Sequence, residues 1–130
     1  MSIFIGTMNF KPTDRGIACA CGCGMLPEQD FMERVQRARD RTRFPWPVNR
    51  AASCPAHNAK VSSTGLDGPH TTGRAIDIGV RGAQALAVLS AMLAEGFTGI
   101  GVSQKGASRF VHGDDLPNSA ADARPTLWSY

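Results

Sequence analysis

Residues 74–80, Arg-Ala-Ile-Asp-Ile-Gly-Val, alternate with a period of two. Side chains of a strand leave it on opposite faces in turn, so Ile76, Ile78 and Val80 share one face and Ala75, Asp77 and Gly79 the other. The strand therefore has one face fit only for a core and one face carrying a carboxylate among small residues. A chain built around it must cover the isoleucine face with apolar structure and leave the aspartate face open. Two stretches supply the cover. Residues 83–93 read as a helix, with Leu86, Val88, Leu89 and Leu93 as its inward positions and Gly96 as its stop. From Pro27 to about Phe44, the residues Phe31, Met32, Val35 and Ala38 form one apolar stripe of helical spacing. Pro27, Glu28 and Asp30 suit a helix start, and Pro45-Trp-Pro47 ends the run. Residues 98–102 and 109–112 read as two further short strands, and Pro55–Val61 adds a helical turn. This order predicts an α+β fold: a small antiparallel sheet, helices packed on one side, and the Asp77 face open.

At 130 residues the chain fits one domain, taken as residues 1–130, with the cysteine- and glycine-containing segment 1–26 packed on it. No apolar run approaches the ~20 residues of a membrane span, so no membrane insertion is expected. The first residues, Met-Ser-Ile-Phe-Ile-Gly-Thr-Met, lack the basic and apolar regions of a secretory leader. Net charge is +3, and eleven of the fourteen cations are arginines, five of them between Arg34 and Arg43. A basic run of this kind can draw a protein to a polyanion, or simply be the solvated face of a helix. No aromatic residue interrupts it before Phe44, so it offers no stacking platform for bases, and no nucleic-acid partner is expected.

Two histidines stand out. His70 lies where a glycine-containing loop enters the Asp77 strand, and His112 lies on the predicted strand Phe110-Val-His-Gly-Asp114. If the two strands are neighbours, His70, Asp77 and His112 converge. Two imidazoles and a carboxylate suit zinc and leave the fourth tetrahedral position open, as a catalytic metal requires; manganese or cobalt would also fit. The plainer alternative is a pair of ordinary strand histidines beside an aspartate that holds a loop.

The run Gly68-Pro-His70-Thr-Thr-Gly73-Arg-Ala75-Ile-Asp77 resembles the Ser-x-His-x-x-Gly-x-Ala-x-Asp motif of the D-alanyl-D-alanine carboxypeptidase family of zinc peptidases. That family also contains phage peptidoglycan endopeptidases and is related to the hedgehog-like metallohydrolases. Phe110-Val-His112-Gly-Asp114, Cys54-Pro-Ala-His-Asn58, the stretch from Gly96 to Val102 and Arg124-Pro-Thr-Leu-Trp-Ser-Tyr130 extend the resemblance over residues 19–130. It implies that His70, Asp77 and His112 ligate zinc; the candidate for the carboxylate that accepts a proton from water is Asp114, because residues two apart on a strand share a face and it sits beside His112, with a structural turn or strand-end role as its alternative. The resemblance further implies hydrolysis of peptidoglycan stem peptides, either as a D-Ala-D-Ala carboxypeptidase or as an L-Ala-D-Glu-type endopeptidase, by a monomer of phage or prophage origin. Such a protein would stay in the host cytoplasm until released to the wall, or travel with the virion. Three positions depart from the pattern. Arg109 stands where several relatives have an acid, Gly68 where they have serine, and Ser53 where they have an arginine before Cys-Pro. Arg50, three residues earlier, is the candidate anchor for a substrate carboxylate.

Cys19, Cys21 and Cys23 are too closely spaced for unstrained local disulfides. Either they and Cys54 pack as reduced thiols, or the four hold a second, structural zinc, with His57 able to replace one of them. Two non-enzymatic readings therefore stand beside the peptidase: a zinc-retaining wall-binding or phage structural module, and a cysteine–zinc protein that binds nucleic acid.

Overall fold

The computed structural model describes residues 3–130. The span 1–130 and the reading of the N-terminus both reach Met1 and Ser2, which lie outside the described residues. Three helices, α1 (Gln29–Asp40), α2 (Pro55–Val61) and α3 (Gly82–Ala94), accompany five strands: β1 (Val48–Arg50), β2 (Ala75–Ile78), β3 (Gly99–Ser103), β4 (Phe110–Asp114) and β5 (Thr126–Ser129). The fold is α+β, as the patterning predicts. The sheet runs β1-β2-β4-β3-β5; every pair is antiparallel except β3 with β5. No helix among the described residues is long and apolar enough to cross a membrane.

α1 and α3 pack against each other and α3 lies on β4. The stripe read from α1 is fully inward: Phe31, Met32, Val35 and Ala38 are buried, and Phe31 meets Phe97 with ring centroids 5.8 Å apart. Ile76, Ile78 and Val80 join them, as the alternation requires. α1 ends at Asp40, four residues before the expected Phe44. There the Thr42 hydroxyl donates to the Arg39 carbonyl (2.8 Å) and accepts from the indole of buried Trp46 (2.9 Å), which turns the chain inward. α3 corrects a second expectation. Its buried residues are Ala85, Val88, Ala91 and Met92, while Leu86 and Leu93 are exposed. Small side chains let α3 approach the sheet, and the leucines border shallow apolar grooves outside the core. β5 was not foreseen, because one parallel edge strand in a proline-containing tail carries no strong local signal.

The arginine run of α1 is largely paired rather than free. Arg37 and Arg41 hold Glu95 at 3.1 and 2.6 Å, and Arg34 reaches Asp115 and the carbonyls of Glu95 and Gly96. These pairs tie the end of α3 to α1. Exposed pairs of this kind contribute little individually.

Candidate metal centre

Strand register sets the open face. Arg50 on β1 faces Asp77 on β2, Asp77 faces His112 on β4, His112 faces Gly101 on β3, and Gly101 faces Trp128 on β5. Directly opposed residues hold their Cβ atoms ~5 Å apart, so this row makes a continuous strip across the sheet. His70 enters from a 3-10 turn, Pro69–Thr72, that feeds β2. The structure thus brings together all three residues expected to ligate metal. One oxygen of Asp77 lies 3.2 Å from His70 Nε2 and 2.9 Å from His112 Nδ1, and the two imidazoles stand edge to face, 5.2 Å apart.

Proton positions follow from the partners. His70 Nδ1 lies 2.7 Å from the Ala51 carbonyl, which can only accept, so Nδ1 carries the hydrogen and Nε2 is the nitrogen left to bind a metal. His112 Nε2 lies 2.8 Å from Asp114 Oδ2. Asp114 is kept ionised by Arg124, whose Nε and Nη2 each approach it at 2.8 Å. His112 Nε2 therefore donates outward, and Nδ1, 2.9 Å from Asp77, is the nitrogen left to bind a metal once its proton is displaced. Two nitrogens and a carboxylate then converge. Protons on the facing nitrogens satisfy that set, and so does a metal cation, for which the donor chemistry fits zinc. Burial opposes ionisation of Asp77, yet hydrogen bonds donated by His112 and His70, through protons that a metal ion would displace, hold it well below the usual carboxylate range. Burial likewise raises Asp114, but His112 and Arg124 outweigh it and bring it to about 2.

Asp114 sits behind His112, across the ring from Asp77. It is wholly inaccessible, with both oxygens engaged by Arg124 and one also by His112. Arg109 donates to the Gly106 carbonyl. Asp115, just past the end of β4, meets Arg74, which also bridges to Asp30. Arg50 lies in the row beside Asp77, and its Nε is buried without a hydrogen-bond partner.

Two residues at the site were not foreseen as functional. Arg124 clamps Asp114 and stacks over Trp128, 5.3 Å from the ring, and Trp128 lies 5.0 Å from His112. The signal was available in two glycines of β3. A Cβ on Gly99 would strike Asp114 and Arg124, and one on Gly101 would come within 2.6 Å of the Trp128 indole. Gly101→Ala is accordingly expected to cost ~1–3 kcal/mol, the usual range for overpacking. It should also shift tryptophan fluorescence as Trp128 leaves His112, both measurable by denaturant unfolding.

The four cysteines are free thiols, and their sulfurs all lie within 4.8 Å of one another. His57 stands in α2, where its backbone N–H donates to Cys54 Sγ.

No curated protein and no solved structure matches the chain. Residues 9–114 match the peptidase M15 family, a span that takes in both histidines, Asp77 and the four cysteines. The donor set of His70, Asp77 and His112 fits what members of that family carry, a zinc ion. On that match the chain belongs to the peptidase M15 family and is a metallopeptidase acting, at family level, on peptidoglycan.

Proposed function

We propose that the protein hydrolyses a peptide bond in a peptidoglycan stem next to a residue with a free carboxylate. The observation that carries this reading is the convergence of His70 Nε2, His112 Nδ1 and an Asp77 oxygen, all within 4.8 Å of one another, a donor set suited to a metal cation. Zinc held there would polarise the scissile carbonyl and acidify a bound water. The chain's own residues do the rest. Ala51 and Asp114 fix the two imidazole tautomers, so neither histidine can rotate its lone pair away. Asp114 is thereby a positioning residue: its place behind His112 supports this role over the proton-accepting one expected from its strand position. Trp128 forms one wall over His112. Arg50 supplies the anchor: it lies in the row beside Asp77, and a guanidinium suits a substrate carboxylate bidentately.

A terminal D-alanine and the α-carboxylate of D-glutamate share that chemistry, so carboxypeptidase and endopeptidase action both fit the anchor. Short stem peptides with free or amidated termini separate them. Hydrolysis lost on amidation of the C-terminus assigns the carboxypeptidase; hydrolysis that survives it but is lost on amidation of the glutamate assigns the endopeptidase. Arg50→Gln is expected to raise KM by about ten- to a hundredfold, as loss of a charged hydrogen bond implies, with kcat changed less. Indifference to both amidations and to Arg50→Gln would remove the anchor from the account.

Two observations favour the non-catalytic alternative, a wall-binding zinc module: position 109 is an arginine and Asp114 is fully engaged. A zinc-loaded protein that binds peptidoglycan without releasing new termini would establish that alternative.

A further inference from the structure

Cys19, Cys21, Cys23 and Cys54 form a second side-chain cluster that the peptidase chemistry does not use. Cys19 Sγ is 3.4 Å from Cys21 Sγ, which is 3.6 Å from Cys54 Sγ. These separations are far beyond a disulfide bond of about 2.05 Å. They lie near the ~3.8 Å edge of a tetrahedron with zinc–sulfur bonds of ~2.3 Å. Sequence chemistry builds the knuckle: Gly22 and Gly24 take φ of 84° and 89°, so alternate residues turn their thiols to one point. Backbone N–H groups already face the sulfurs, Cys54 to Cys19 Sγ at 3.3 Å and His57 to Cys54 Sγ at 3.4 Å. Hydrogen bonds donated to a sulfur favour its thiolate form, the form that binds a metal.

The cluster's place in the fold gives it a task. Ala51 and Ala52 donate to the carbonyls of Gly16 and Ile17, Ser53 donates to the His70 carbonyl, and the Ala51 carbonyl accepts from His70 Nδ1. The segment 51–54 is thus the strip between the cysteine knuckle and His70.

We propose that Cys19, Cys21, Cys23 and Cys54 bind one soft divalent ion, zinc, as a tetrathiolate separate from the His70–Asp77–His112 centre, and that this ion fixes the segment that orients His70. The ion cross-links residues 19–23 to residue 54 and is structural, since four sulfurs leave no open position. Nothing in this depends on which peptide is cleaved.

Metal analysis of the whole chain tests it. Wild-type protein should hold two zinc equivalents. Cys21→Ser and Cys23→Ser, both at exposed thiols, should each hold one, with a lowered melting temperature and activity reduced several-fold. His112→Ala should also hold one. In cobalt-substituted protein, a sulfur-to-metal charge-transfer band should survive His112→Ala and vanish in the serine variants. Thiol alkylation of the wild-type protein provides a readout free of folding effects: four thiols should be protected until a chelator is added. One zinc equivalent lost only with His112→Ala, no sulfur band, or four thiols reactive in the zinc-loaded protein would each overturn the proposal.

Discussion

Asp77→Asn is expected to lower peptidase activity by roughly a thousandfold or more and to empty the histidine centre of metal. The substitution keeps the shape of a half-buried side chain in the middle of β2, so the sheet register and the isoleucine core should survive. What it removes is the negative charge between the two imidazole nitrogens. The amide can instead point its N–H toward a nitrogen, satisfying with a proton the position a cation would take. Metal polarisation contributes several kcal/mol to transition-state stabilisation, and each ~1.4 kcal/mol is tenfold in rate. Circular dichroism should be unchanged while zinc content falls by one equivalent. Near wild-type activity in this variant would mean that the three residues do not form the working centre.

Asp114→Ala should have the largest effect on stability, ~3–5 kcal/mol. The residue is wholly buried, and its loss strands the Arg124 guanidinium, itself almost buried, without its partner. His112 Nε2–H loses its acceptor at the same time, which should weaken metal binding ten- to a hundredfold. The two consequences separate. Removing the stranded charge in Asp114→Ala/Arg124→Met should restore much of the stability without restoring metal affinity, because the contacts to Arg124 and His112 are distinct. Asp114→Asn supplies the functional discriminator. As a positioning residue, its activity should return when zinc is raised to saturation. A loss of kcat that persists at saturating zinc would instead make Asp114 the proton acceptor.

The centre was legible in the sequence because strand alternation is a short-range property. Asp77 had to oppose Ile76 and Ile78, and His112 had to share a face with Asp114, whichever strands paired. What they do on that face depends on partners remote in the chain. The role of Asp114 is set by Arg124, ten residues on and in a tail with no regular periodicity, so the sequence could place the carboxylate but not say that it was spoken for. α3 shows the opposite error. Val88 and Leu89 pack on the core as expected, but Leu86 and Leu93 do not: the close approach of the helix to β4, where Gly113 leaves room for Met92 and Phe97, selects small and flexible side chains instead. The end of α1 was missed for a similar reason: the Thr42–Trp46 hydrogen bond stops the helix before the prolines do.

The central claim is that the His70–Asp77–His112 face is a metal-dependent peptidase site. It is tested most directly by mass spectrometry of purified peptidoglycan digested with zinc-loaded protein, beside Asp77→Asn as control. Stem peptides shortened by a terminal D-alanine, or cut between L-alanine and D-glutamate, should appear with the wild-type protein and not with the variant. Unaltered muropeptides from every wall type, with the histidine centre shown to be fully loaded, would contradict it.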